Sequence, residues 1–295
     1  MPRRKKMNII VLSLLVILAT LVIYILISND NNSNNEIANS SITTNIIEDD
    51  KNTDQNTDNK KDNQNLNDNI LQVNNNINVP VLYYHSVNPS EENELIISPA
   101  KLKQQLQYIK NLGYSSITMK EYISYLKNNT PLPEKSVLIT FDDGYMDNYT
   151  YLFPILKELD FTATIFLITS GIDDGYYLST EQILEMHKYG IDFGSHTVNH
   201  SHLAELTNHQ IVSELTNSRD VLKKILKTDI TSIAFPYGNY DERCIEAAQK
   251  TGYSVAFTTT YGTTNRSSNM YELKRIYVSS NYSFEQFKQR FENAK

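Results

Sequence analysis

From Val79 onward, short apolar stretches alternate with amphipathic segments, a pattern that predicts strands and helices in turn. Residues 79–87 read as a strand with Pro80 at its start, where proline is tolerated. Ser98-Pro99 supplies a cap and first-turn pair for a helix with Leu102, Leu106, Ile109 and Leu112 on one side, ended by Gly113. Further short strand and helix patterns run to Asn129. Residues 137–141 form an apolar run, the mark of a strand buried on both faces. A helix over 152–159 and a strand over 161–169 follow. Ser179 to Gln182 resembles a capping box and opens a helix reaching about Tyr189. A strand over 191–195, a helix from Thr207 to about Lys227 and a strand over 233–236 come next. Asp241 caps a helix closed by Gly252. Strands over 254–259 and 271–278 and a helix capped by Ser283 complete the pattern. This alternation indicates a parallel α/β domain over residues 79–295. Polar clusters fall at the strands' C-terminal ends, which favours a distorted (β/α) barrel over an open doubly wound sheet.

The first quarter of the chain breaks the pattern. Arg3, Arg4, Lys5 and Lys6 precede an apolar run over 9–27 interrupted only by Ser13 and Thr20. That length matches the ~30 Å hydrocarbon core of a bilayer. No small-residue cleavage site follows, so residues 1–28 read as an uncleaved signal-anchor with its basic end in the cytoplasm and the rest of the chain outside. About a third of residues 29–78 are Asn, and Asp, Thr, Ser and Gln make up much of the remainder. Such a segment buries too little apolar surface to offset chain entropy and reads as a disordered linker.

Charge narrows the function classes. The total of −7, less +4 from residues 3–6 and −6 from the linker, leaves −5 for residues 79–295. No basic patch points to nucleic acid, and the absence of a glycine-rich phosphate loop argues against a nucleotide cofactor. Cys244 is the single cysteine, which rules out an intrachain disulfide.

The candidate chemistry begins at Asp142-Asp143-Gly144, directly after the apolar run. Adjacent strand side chains face opposite ways, so both carboxylates share a site only if the chain turns there, which Gly144 permits. Asp-Asp-Gly alone is common in loops. His196 and His200 supply partners, because one helical turn would bring an i, i+4 pair to one side. Two histidines and Asp143, with open positions, make a familiar catalytic zinc arrangement. Asp142 is then free to act as base.

Thr140-Phe-Asp-Asp-Gly144 followed by His196-Thr-Val-Asn-His200 resembles the polysaccharide deacetylase family, the NodB-homology domain of carbohydrate esterase family 4. The resemblance covers roughly 79–295. It implies metal-dependent removal of N-acetyl groups from an amino-sugar polysaccharide. It also implies Asp142 as general base, with Asp143, His196 and His200 holding a divalent metal, foremost Zn2+. A third family motif, Arg-x-Pro-Tyr, appears as Ala234-Phe-Pro-Tyr237: Pro236 and Tyr237 match and the arginine is absent. The resemblance assigns the Tyr237 amide to the oxyanion. The usual C-terminal Leu-x-His is also missing. Val81-Leu-Tyr-Tyr-His85 instead resembles the exopolysaccharide (poly-N-acetylglucosamine) deacetylase branch, which implies His85 as general acid. Arg275, embedded in an apolar strand pattern, is the substitute expected to pair with Asp142, since a buried guanidinium needs a partner. Tyr145, Pro236 and Tyr240 are candidate sugar contacts. His187, His202 and His209 have weaker claims. Two rival readings are a non-catalytic membrane-tethered wall-binding domain and an O-acetyl esterase using the same site.

Overall fold

The structure, a computed structural model, describes residues 76–294. The signal-anchor expected over 1–28 and nearly all of the expected linker lie outside the described residues. Among the described residues no helix is long and apolar enough to cross a membrane.

The elements follow the predicted alternation. They are β1 (Val81–Tyr84), β2 (Ser86–Val87), β3 (Ile96–Ile97), α1 (Pro99–Asn111), β4 (Ser115–Ser116), α2 (Met119–Asn128), β5 (Ser136–Phe141), α3 (Phe153–Leu159), β6 (Thr164–Leu167), α4 (Thr180–Tyr189), β7 (Asp192–Ser195), α5 (Asn208–Leu226), β8 (Ser232–Ala234), α6 (Glu242–Lys250), β9 (Val255–Tyr261), β10 (Leu273–Tyr277) and α7 (Phe284–Asn293). The capping box at Ser179 forms as the sequence predicts, Ser283 caps its helix as expected, and Thr118, Thr207 and Ser283 also close full capping boxes. Cys244 lies buried in α6.

Seven strands close a parallel barrel in the order β1-β5-β6-β7-β8-β9-β10, with β10 returning to β1. β4 is additional. It pairs with the start of β5, at Ser136 and Val137, while β6 pairs further along, at Thr140 and Phe141.

Strand alternation sorts the core into two layers. Val137, Ile139 and Phe141 of β5 face the helices with Leu82, Ile165 and Ile276. Val81, Leu138, Phe166, Ala234, Phe257 and Leu273 cluster with Tyr122 and Tyr125 of α2, which packs into that group. Gly194 makes room for this layer, because a Cβ there would stand 2.5 Å from the Phe166 ring. The layer of Val81, Leu138 and Leu273 continues by parity through Tyr83 and His85, through Thr140 and Asp142, and through Arg275. Parity alone therefore gathers His85, Asp142 and Arg275 at one end of the barrel.

Candidate active site

β5 ends at Phe141 and the chain turns at once. Asp143 and Gly144 take φ values of 72° and 79°, so Asp143 is not carried to the opposite face as an extended strand would carry it. Glycine adopts this region freely, and a Cβ on Gly144 would stand 2.3 Å from Leu167 Cδ2. Both carboxylates are buried.

Arg275 lies fully buried against Asp142. Its Nη1 and Nη2 donate to Asp142 Oδ1 and Oδ2, both at 2.7 Å. Its Nε donates to the Thr258 carbonyl at 3.0 Å and Nη1 also reaches Thr140 Oγ1 at 3.3 Å. The Tyr83 ring centre lies 4.1 Å from Cζ. The β9–β10 register shifts between Leu273 and Arg275, the kind of irregularity that re-aims groups beside a site. Burial pushes the Asp142 carboxyl up, but the Arg275 charge opposes it, and the net effect holds Asp142 well below the usual carboxylate range. A carboxylate depressed in this way stabilises the fold above its unfolded value of roughly 3.9, and that stability is lost as pH falls toward the folded value. If ionised Asp142 is required for turnover, the rate falls as pH drops through its pKa. Arg275→Lys removes the two-bond grip, so the acidic limb of the pH–rate profile should move upward. An unmoved limb would separate Arg275 from the ionisation of Asp142.

Beside this pair, the ligand atoms of Asp143, His196 and His200 lie within 4.8 Å of one another. His196 Nε2 and His200 Nε2 stand 3.4 Å and 3.3 Å from Asp143 Oδ1, a buried oxygen with no hydrogen-bond partner. The other ring nitrogens are occupied. His196 Nδ1 meets the Ala234 carbonyl at 2.8 Å, so it must carry the proton, and His200 Nδ1 meets Tyr237 Oη at 3.0 Å. Burial and neighbouring His196 hold His200 down at about 4, neutral near pH 7 as a metal ligand must be. An orphaned carboxylate oxygen facing two oriented imidazoles fits a divalent cation, with room for a fourth, exchangeable partner.

The expected helical turn between these histidines is not there. Residues 196–200 form an irregular turn, with φ of 67° at Thr197 and 55° at His200. Glu214, buried on α5, takes the place of helical bonding: its Oε2 accepts from the Val198 and Asn199 amides at 2.9 Å each, and its Oε1 from Asn199 Nδ2 at 2.6 Å. Glu214→Ala should weaken metal affinity about 10–100-fold while the domain stays folded. Competition with a chelating dye measures this, and an unchanged affinity would show that the turn holds itself.

A family profile described as polysaccharide deacetylase matches residues 129–256, a span that holds Asp142, Asp143, His196 and His200. A Bacillus subtilis protein provisionally named polysaccharide deacetylase YxkH is 37% identical over 217 residues, covering 74% of this chain and 77% of that protein. The chain belongs to the polysaccharide deacetylase family. A poly-beta-1,6-N-acetyl-D-glucosamine N-deacetylase of Staphylococcus epidermidis is 30% identical over 198 residues, 62% of this chain and 68% of the relative. The solved structure of the Streptococcus pyogenes deacetylase PplD in complex with acetate superposes with a TM-score of 0.69. It is 32% identical and covers 73% of this chain and 99% of that one.

In this deacetylase the other expected site residues divide. His85, Tyr145 and Tyr237 line a cleft of about 490 Å³ together with Asp142, Asp143, His196 and His200. Burial pushes the half-buried His85 imidazole down, while Asp142 and Asp143 oppose that shift. Burial and nearby Asp143 raise the Tyr145 hydroxyl far above its usual range. Tyr237 sits at a φ of 59° in the Pro236–Gly238 turn, with its ring stacked on His202 at 4.1 Å. Pro236 is buried at the base of that turn and Tyr240 packs elsewhere, stacked on Phe235 at 5.1 Å and bonded to Glu272 at 3.0 Å. Neither lines the cleft. His187 packs near Phe193 and His209 is exposed.

Two residues that sequence reasoning passed over brace His85. Asn148, fully buried, donates from Nδ2 to the His85 carbonyl at 3.0 Å. Asp147 accepts from the Ser86 hydroxyl and, at 3.1 Å, from the Val87 amide. They follow Asp142-Asp143 by only a few residues, so one short segment carries the two carboxylates and braces the strand end bearing His85. The sequence carries no signal for either, since their burial and their partners arise only in the folded chain.

Proposed function

We propose that this deacetylase removes N-acetyl groups from a cell-surface polysaccharide containing N-acetylglucosamine, by metal-dependent hydrolysis. The observation that carries the reading is a single cleft holding a carboxylate gripped by a buried guanidinium, an orphaned ligand set and a separate imidazole. A divalent metal held by Asp143, His196 and His200 would supply Lewis-acid chemistry to the acetamide carbonyl and to water. Asp142 accepts the proton of the attacking water, because Arg275 keeps its carboxylate ionised. The Tyr237 amide donates to the oxygen that gains charge as the new C–O bond forms. His85 delivers a proton to the nitrogen as the C–N bond breaks, releasing acetate and a free amine. The relatives named as poly-beta-1,6-N-acetyl-D-glucosamine N-deacetylases support a glucosamine polymer as substrate.

Acetate release from poly-N-acetylglucosamine, peptidoglycan and chitin oligomers, each against an O-acetylated counterpart, tests the reading. Turnover of an N-acetylated polymer is expected. Turnover confined to esters would replace the amidase reading with that of an esterase. The basic end and apolar run of residues 1–28 support an anchored enzyme whose catalytic domain faces outward. Protease added to intact cells should then release a domain-sized fragment, and complete protection would contradict that placement.

A further inference from the structure

His85 is held in a different way from the other imidazoles of the cleft. His196 Nδ1 and His200 Nδ1 each meet an oxygen of the surrounding fold, which orients their rings. His85 Nδ1 is buried and has no hydrogen-bond partner among the described residues. No bond at that nitrogen sets the direction of the ring, so the placement of its backbone has to.

That backbone is fixed from one segment. The ladder between β1 and β5 ends at Tyr84 and Phe141, and the Tyr84 carbonyl accepts from the Asp142 amide at 2.9 Å. His85, one residue on, lies past the ladder. Its carbonyl accepts from Asn148 Nδ2 at 3.0 Å, and the same nitrogen donates to Asp147 Oδ1 at 3.0 Å. Asp147 accepts in turn from the Val87 amide at 3.1 Å and from the Ser86 hydroxyl. Two consecutive side chains therefore grip residues 85–87. Asn148 is fully buried, so losing its amide would leave the His85 carbonyl short of a partner that water cannot readily replace. Residues 148–152 wind as a π-helical turn directly after the grip, an irregularity frequent at functional sites.

We propose that Asn148 and Asp147 are positioning residues for the proton donor, acting through the backbone of residues 85–87 to aim the His85 imidazole at the nitrogen of the scissile amide. The proposal rests on the reading of His85 as general acid. Residues 142–148 then carry the base, a metal ligand and the hold on the acid, so local chain geometry fixes all three relative to one another. A misplacement of about 1 Å at a reacting group can cost roughly 10²-fold in rate.

The test is a double-mutant cycle in the full-length, metal-loaded protein, read on poly-N-acetylglucosamine and on p-nitrophenyl acetate. Asn148→Ala should lower kcat on the polymer about 10–100-fold, with KM and metal content little changed. The loss on the ester should be much smaller, because its leaving group needs no acid. Added to His85→Ala, Asn148→Ala should cost almost nothing further, since the group it aims is gone. Ser86→Ala, which trims one bond of the grip, should show the same pattern with a smaller loss, and it replaces Asn148→Ala in the cycle if that variant does not fold. Equal losses on polymer and ester, an unchanged polymer rate, or a full additional loss in the His85→Ala background would overturn the positioning role and leave the deacetylase reading standing. A His85→Ala enzyme with a wild-type rate on the polymer would overturn the general-acid reading and this proposal with it.

Discussion

Asp142→Asn should reduce acetate release by about 10²–10⁴-fold, the span expected when a general base is lost, with metal content unchanged. Asparagine fills the same volume and still offers Arg275 an oxygen, so the barrel should fold. It cannot accept the water's proton at neutral pH. The division of labour is built into the turn: Asp142 gives both oxygens to Arg275, whereas Asp143 keeps Oδ1 bare between two imidazoles. The variant purified from metal-supplemented medium should therefore carry wild-type metal and negligible activity. Loss of the metal would show that Asp142 is a ligand and would exchange the two roles.

His85→Ala should lower kcat by about 10²-fold or more, with metal binding and KM little changed. His85 lines the same cleft as the carboxylates yet stands outside the ligand group. Its ring packs against Tyr83 at 5.7 Å and Tyr277 at 6.5 Å. Only a poor leaving group needs its acid. The loss should accordingly be large on the acetamide and much smaller on an activated acetyl ester, whose alkoxide departs unaided. Equal losses on the two substrates would return His85 to a packing role.

The sequence was most informative where local rules act alone. Capping boxes, apolar strand runs and glycine stops placed most elements within a few residues, and strand parity then brought His85, Asp142 and Arg275 to one end of the barrel. Arg275 was legible because an arginine inside an apolar strand pattern demands a buried partner, and Asp142 lies opposite at 2.7 Å. The His196–His200 turn was not legible as a turn. An i, i+4 spacing suggests a helix, and the stabilising groups lie elsewhere in the chain, on Glu214 and Tyr237. Glu214 left a faint trace as a carboxylate on the face of α5 that also buries Ile211, Leu215 and Ser218. Tyr240 misled because an aromatic after a site motif carries no sign of its direction; packing on Phe235 decided it.

The most direct measurement of the central claim is the count of acetate released against primary amine formed on poly-N-acetylglucosamine, using full-length protein stripped of metal and then reloaded with Zn2+. The account predicts equal amounts of acetate and amine from the reloaded enzyme, and neither from the stripped enzyme or from reloaded Asp142→Asn. Equal turnover by stripped and reloaded protein, or acetate without matching amine, would contradict it.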